Sequence, residues 1–554
     1  MTLATDSPTL RKARGAFFTP SELSRYVAEW AVRGPDDMVL EPSCGEASFL
    51  LAAGARLAAL RGGAPRQGQL AGVELHEHSA AQAAALLQDA DLPATVTTGD
   101  FFRFPPRACY DSVIGNPPYV RYQDFSGIAR AVSREAALAQ GVRLTGLASS
   151  WAAFTVHAAL FLRPGGRLGL VLPAELLSVN YADEVRSFLM RRFGRVRLVL
   201  FKERVFPEVQ EEVVLLLAEG QGPTSHCELL QLDDAAALED LDHVSYSWAP
   251  PAGGGKWTPA LLSTQSLEVY RDVESAGDFT KLTEWGRITL GAVTGNNSFF
   301  ALTQLRAREL GLPNHELLPL SPPGSRHLRA GTLSHHGWQR LADEGLPTLL
   351  FRPPGQPSRA ARAYIAAGEA MGVHEAYKCR VRDPWWRVPL SPVADLLLTY
   401  MNAGAVQLAT NRFGVRHLNS VHGVVLHPER QRLGRDMLAL ASLNSMTLLG
   451  AEVVGRAYGG GMLKLEPREA DLLPVPTADL VAGPAGRRLR DLRPRLTRLL
   501  RTGRLEQAVD MVDSVVLTQG LGLSGHQLEQ LAAGRRTLAA RRAARGRSSS
   551  ASGQ

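Results

Sequence analysis

The stretch Met38–Leu60, "MVLEPSCGEASFLLAAGARLAAL", decides the fold. Its apolar opening reads as a short strand ending at Glu41, and the alanine-rich part from Ala47 reads as a helix. Between them lies a turn with a single glycine, Gly45, and an acid at its mouth. A strand-to-helix turn that cradles a pyrophosphate is usually glycine-rich, because backbone N–H groups must approach the phosphates. Glu41 would repel such a ligand. The turn therefore speaks against a dinucleotide or ATP, and for a ligand with a positive charge such as an ammonium or a sulfonium.

Outward from this turn the alternation repeats. "LAGVEL" (Leu70–Leu75) is a second strand and "SAAQAAALLQDA" (Ser79–Ala90) a second helix. "TVTTGDFF" (Thr95–Phe102) and "YDSVIGN" (Tyr110–Asn116) are further strands. "SWAAFTVHAALFL" (Ser150–Leu162) is helical, "PGGRLGLVLP" (Pro164–Pro173) turns into a strand, and "EEVVLLLAE" (Glu211–Glu219) is a late one. Strands alternating with helices predict an α/β fold with a parallel, doubly wound sheet, whose ligands bind outside the carboxyl ends of the strands.

The strand ends are chemically distinctive. Glu74 closes the second strand, where a carboxylate can take the hydroxyls of a ribose. Asp100 closes the third and can accept from an exocyclic amine, with Phe101 beside it to pack on a ring. The fourth delivers Asn116-Pro117-Pro118-Tyr119. Two prolines end the strand, because neither has an N–H and each fixes its φ. Any one of these acids alone would read as an ordinary surface or capping carboxylate. Three acids and this turn, all at carboxyl ends, describe a pocket for S-adenosylmethionine.

"FFTP" (Phe17–Pro20), "VLEPSCGEASFL", "GVEL", "GDFF" and "GNPPY", in this order, resemble the N6-adenine DNA methyltransferases of the γ class, the TaqI type. The resemblance covers roughly Arg11 to Glu219. It implies a Rossmann-like class I S-adenosylmethionine-dependent methyltransferase domain followed by a target-recognition domain. By position it implies that Thr19, Glu41, Ser43, Glu74, Asp100 and Phe101 line the cofactor pocket and that Asn116, Pro117 and Tyr119 form the catalytic turn. "RVFPEVQEEVV" (Arg204–Val214) resembles a later motif whose phenylalanine, here Phe206, packs on the target base opposite Tyr119. One departure is that Glu46–Ser48 lacks the extra glycine of many relatives.

The turn suits that chemistry. The amino nitrogen of adenine is a poor nucleophile, since its lone pair is delocalised into the ring. Two acceptors on its two N–H groups, the Asn116 side-chain oxygen and the Pro117 carbonyl, would aim the lone pair at a methyl group. Transfer by direct displacement requires neither metal nor covalent intermediate, and positioning is the main device.

At 554 residues the chain exceeds one core. "SWAPPAGGGKWTPA" (Ser247–Ala260) reads as a linker, giving a methyltransferase domain over 1–248, a linker at 249–258, a mixed α/β target-recognition domain over 259–484, a basic helical segment over 485–542 and a disordered tail over 543–554. Between Arg487 and Arg547 stand 14 arginines, no lysines and 5 acids, a net +9 against +7 for the whole chain. The basic excess thus sits at the end, and a polyanion such as double-stranded DNA is the expected partner. In the recognition domain "TGNNSFF", "DPWWR", "NRFGVRHLNS" and "GRAYGGGMLK" combine amides, arginines and aromatics suited to DNA, although turns and core packing use the same residues. Cys44, Cys109, Cys227 and Cys379 have no paired spacing, which argues against disulfides or zinc and for the cytoplasm. No apolar run suggests a membrane partner. No long segment precedes "FFTP", so a fused nuclease is not expected, while a separately encoded endonuclease stays open. Two rivals also stay open: a methyltransferase acting on RNA or a protein glutamine, and a non-catalytic DNA-specificity adaptor.

Overall fold

The computed structural model describes residues 19–120, 127–146, 148–203, 205–206, 212–239, 245–251 and 255–550. It forms two compact units, dividing between Leu261 and Leu262.

The first unit is built on a nine-stranded sheet in the order β3-β2-β1-β4-β5-β7-β6-β8-β9. Its strands are β1 (Val39–Pro42), β2 (Leu70–Glu74), β3 (Ala94–Thr98), β4 (Tyr110–Gly115), β5 (Leu162–Pro173), β6 (Arg195–Phe201), β7 (Val213–Glu219), β8 (Cys227–Leu232) and β9 (Tyr246–Trp248). From β3 to β5 every pairing is parallel, and β7 runs antiparallel between β5 and β6. The central strands are apolar on both faces because both are covered: every residue of β1 is buried, as is β4 from Asp111 onward. The strand order reverses between β1 and β4. That is the switch point at which a crevice opens beyond the carboxyl ends.

Helices α1 (Ser21–Ala31), α2 (Ser48–Arg61), α3 (Glu77–Asp89), α4 (Gly127–Leu138), α5 (Ser150–Ala159) and α6 (Asp183–Arg192) supply the crossovers and covering layers. All ten residues of α5 are buried, so its sequence is apolar around the whole circumference. The glycine- and proline-rich segment expected as a linker is, where described, fastened to this unit. Trp257 is 3% exposed and meets Trp248 edge-on at 5.8 Å, and its N–H donates to the Leu177 carbonyl at 2.7 Å.

The second unit is mixed α/β. A four-stranded antiparallel sheet runs Gly286–Leu290, Val421–Leu426, Leu396–Thr399, Leu408–Thr410, with smaller sheets beside it. One core cluster centres on Phe299, Phe300, Phe351 and Tyr364, with Phe299 stacked on Tyr364 at 4.4 Å. Trp385 and Trp386 of the "DPWWR" stretch pack against it, so packing accounts for both rings. Asn411 is 1% exposed and its amide bonds the backbone of Ala394 and Val415, holding the "NRFGV" turn in shape. Helices α7 (Thr264–Ser275), α8 (Ser445–Val454), α9 (Pro484–Arg501), α10 (Leu505–Asp513) and α11 (Gly525–Ser550) complete the unit. The last of these runs on to Ser550, into the region expected to be disordered, and it packs on α7 and α8. Among the described residues no single helix is long and apolar enough to cross a membrane, and the one bent pair that passes by length and composition includes α8, nearly all of it buried.

Candidate active site

At the carboxyl edge of the sheet the β1 turn comes first. The Glu41 carboxylate, 2% exposed, accepts from the Leu50 N–H at 2.9 Å in the first turn of α2. It supplies the cap that Ala47, which precedes the helix and has no side-chain acceptor, cannot. Burial pushes the Glu41 carboxyl well above the usual carboxylate range. The Leu50 and Phe49 N–H groups pull it back, and the Glu74 charge adds to the rise.

Ser43, Gly45 and Ala47 all adopt left-handed φ values, 62°, 51° and 59°. Such residues turn neighbouring N–H groups toward one point and create an anion-binding concavity. The anion is internal here. The Glu74 carboxylate at the end of β2 accepts from the Gly45 N–H at 2.9 Å and from the His76 N–H at 3.0 Å. Only one of the three positions is glycine, so Ser43 and Ala47 carry roughly 1–3 kcal/mol of backbone strain each.

At the end of β3, Asp100 accepts from the Phe102 N–H at 3.1 Å and caps the short turn Phe101–Arg103. It lines a cleft of about 710 Å³ together with Leu75, Gly99, Arg103, Phe104 and Pro105. Phe101, expected to face a bound ring, is 5% exposed and packs among Phe154, His157 and Phe161, with centroids 4.9, 4.8 and 5.0 Å away. The capped turn sends Phe101 into the core over α5. Phe104 and the exposed Leu75 offer the cleft its apolar surface instead.

The β4 turn is built differently. The Asn116 amide nitrogen donates to the Thr19 hydroxyl at 3.3 Å, and its oxygen accepts from the Tyr119 hydroxyl at 2.6 Å. That hydroxyl also lies 2.9 Å from the Val171 carbonyl on β5, so one proton is shared between two acceptors. Thr19, expected in the cofactor pocket, is thereby an orienting partner of Asn116. Ser150 at the start of α5 fixes the far side of the turn: its hydroxyl donates to the Pro118 carbonyl and accepts from the Val120 N–H. Among the described residues no donor reaches the Pro117 carbonyl. Phe206 is 4% exposed, but Arg204 and residues 207–211 of its motif lie outside the described residues, as do Phe17 and Phe18.

Two family models cover most of the chain: "N-6 DNA Methylase" matches residues 1–236, and "Type II methyltransferase M.Eco57I, C-terminal domain" matches 254–517. The first 236 residues thus match the N-6 DNA methylase model, and most of the remainder matches the C-terminal domain of a Type II methyltransferase. It is similar to Type II methyltransferase M.XamI of Xanthomonas campestris pv. amaranthicola, 26% identical over 84% of this chain and 85% of the relative. It is similar as well to Type II methyltransferase M.AccI of Acinetobacter calcoaceticus, 19% identical over 83% and 84% respectively. Among solved structures, the Type IIL restriction-modification enzyme MmeI in complex with DNA matches 94% of this chain and 75% of its own, with a TM-score of 0.53 at 11% identity, a likeness of fold. The chain is therefore a DNA methyltransferase of the restriction–modification kind, with the class I methyltransferase fold.

In this methylase the residues present fit S-adenosylmethionine. The N–H groups that might have faced a phosphate are taken by Glu74, which leaves the edge acidic. The cleft beside Asp100 provides an acceptor next to two apolar side chains. Sequence reading missed the supports of the catalytic turn, Val171 and Ser150. Ser150 follows directly on Ser149 in an apolar stretch, and a hydroxyl at the head of a buried helix was the signal. Among the described residues no cluster of His, Cys, Asp and Glu is placed to hold a metal ion.

Proposed function

We propose that the chain transfers a methyl group from S-adenosylmethionine to the N6 amino group of adenine at a specific sequence in double-stranded DNA, with the base turned out of the helix. One observation carries this reading. At the carboxyl end of β4, Asn116 holds its side-chain oxygen, and Pro117 its carbonyl, on one rigid turn.

A planar amino group with two N–H bonds matches two acceptors side by side. Among the described residues the Pro117 carbonyl accepts from no donor. The Asn116 oxygen has one lone pair beyond the Tyr119 bond. Thr19 and the Tyr119 hydroxyl, itself tied to Val171, grip the two ends of the amide and hold it in place. An asparagine stays neutral at every working pH. Turning the base out costs a few kcal/mol of unstacking, and stacking on an aromatic ring returns about 1–3 kcal/mol. Tyr119 and Phe206 are the rings assigned to that role. The cofactor, when bound, supplies an electrophilic methyl. Glu41 and Glu74 shape the turn beside it, and Asp100 and Phe104 form the wall for its adenosine end. A separately encoded endonuclease that cuts the unmodified sequence is the proposed partner in the cell.

The test is transfer of labelled methyl from S-adenosylmethionine to unmethylated genomic DNA, with the product nucleosides resolved by mass. N6-methyladenine from the wild type, absent with Asn116→Ala, is the expected result. Label in cytosine, in RNA or in protein would overturn it.

A further inference from the structure

The arginines near the end of the chain fall into two sets once their partners are known. Arg490 and Arg493 of α9 both bind Asp436, at 3.0 and 2.7 Å. Arg535 of α11 pairs with Glu506, and Arg536 with Glu529. Arg542 is 6% exposed; it grips Glu452 of α8 through two hydrogen bonds of 3.0 and 2.8 Å and also donates to the Gly461 carbonyl. A Cβ on Gly461 would lie 3.0 Å from the Ala543 backbone, so the last helix is seated directly on that turn. Arg490, Arg493, Arg535 and Arg542 thus tie separate segments of the unit together, while the Arg536–Glu529 pair lies along α11 itself.

Five others on α9 do not. Arg487, Arg488, Arg495, Arg498 and Arg501 are exposed, and none has an acidic partner among the described residues. At 100° per residue Arg487, Arg498 and Arg501 lie opposite the buried Leu489, Leu496 and Leu500, and Arg488 and Arg495 flank them on the side of Leu499. Asp491 is the one acid of the helix and stands on the same outer face, leaving that face a clear positive excess. From Arg487 to Arg498 the stripe runs roughly 16 Å. Over that length a DNA strand presents several phosphates, one per ~3.4 Å of axis.

We propose that the outer face of α9 is the phosphate-backbone surface of the second unit, and that Arg535, Arg536 and Arg542 of α11, each paired with an acid, stand outside it. This rests on the DNA reading above and adds where the polyanion sits. Arginines there read no sequence; they fix the register of the duplex and supply salt-dependent affinity.

The experiment uses the full chain and a mixed-sequence duplex, with binding measured across a salt series. The variant Arg487→Gln/Arg495→Gln/Arg498→Gln is compared with Arg535→Gln/Arg536→Gln. The first should lower the magnitude of the log K against log salt slope by about 2–3, roughly one counterion per arginine removed. It should raise KM for DNA and leave kcat at saturating DNA unchanged, while the second variant keeps the wild-type slope. An unchanged slope in the first variant, or an equal fall in the second, overturns the proposal. Loss of binding to anionic phosphatidylserine vesicles with the DNA slope intact would assign the face to a membrane and overturn it as well. If the wild type methylates DNA, those failures touch this inference alone; if it neither binds nor methylates DNA, the functional reading fails with it.

Discussion

The β1 turn and the β4 turn leave neighbouring strands and end in the same crevice, yet they use their polar groups in opposite ways. In the β1 turn the acids are spent inward: Glu41 caps α2, and Glu74 fills the concavity of Ser43, Gly45 and Ala47. In the β4 turn the carbonyl of Pro118 is spent on Ser150, while that of Pro117 meets no donor among the described residues. The first turn stores strain and charge to hold a shape. The second is held from outside, by Thr19, Val171 and Ser150. A binding loop can be self-sufficient, whereas a catalytic turn must keep part of its hydrogen-bonding capacity unused.

The contrast can be broken most sharply at Asn116. Asn116→Ala should cut methyl transfer by on the order of 10²–10³-fold, as loss of a charge-aiming hydrogen-bond partner does. It should leave cofactor affinity, read by calorimetry, near wild type. A large loss of cofactor binding would mean that the two turns are not separate devices.

Glu41→Ala should act the other way and lower stability first. Loss of the cap on α2 is expected to cost about 1–2 kcal/mol, measured by thermal unfolding, with a rise in KM for the cofactor. Glu41→Gln keeps an acceptor for the Leu50 N–H and separates capping from charge.

Tyr119→Phe keeps the ring and removes the hydroxyl bonds to Asn116 and Val171, worth about 1 kcal/mol. Single-turnover transfer should slow several-fold, with stability little changed. An unaltered rate would show that Thr19 alone orients the amide.

The smallest effect is on pH dependence. The folded-state pKa of Glu41 is raised by burial, so the native protein holds that proton more tightly than the unfolded chain does. Its contribution to stability is full below the unfolded value, near 4.5, and is lost as pH rises through the folded one. The melting temperature of the wild type relative to Glu41→Gln should therefore decline as pH rises above the ordinary glutamate range.

β1, β2, β4 and β5 were legible because strands buried within a parallel sheet write themselves as short apolar runs between helices, and the edge strand β3 was legible from its β-branched residues. β6, "RVRLVLF", was not, because Arg195 and Arg197 break the run. They are satisfied across the sheet by Glu228 on β8, 2.5 and 2.7 Å away, and such a partner cannot be seen locally. The same blindness explains the basic segment. Counting charges located it, but Asp436, Glu452 and Glu506, which claim several of its arginines, stand far off in sequence or on another helix. At the site, strand-end acids could be placed from pattern alone. Which of two nearby rings, Phe101 or Phe104, would face the cleft depended on a turn only the fold defines.

The seating of α11 also sets an order of events during synthesis. The first unit has all its strands by Trp248 and can close while the remainder of the chain is still being made. The second cannot, because α7, made early, and α8, made late, both pack on a helix that follows them. The Ser266 hydroxyl donates to the Gln530 carbonyl at 2.9 Å, and Glu452 awaits Arg542. A nascent chain would thus hold a finished first sheet before its second unit could close, and ribosomes stalled short of Arg542 should carry a folded first unit and an open second one.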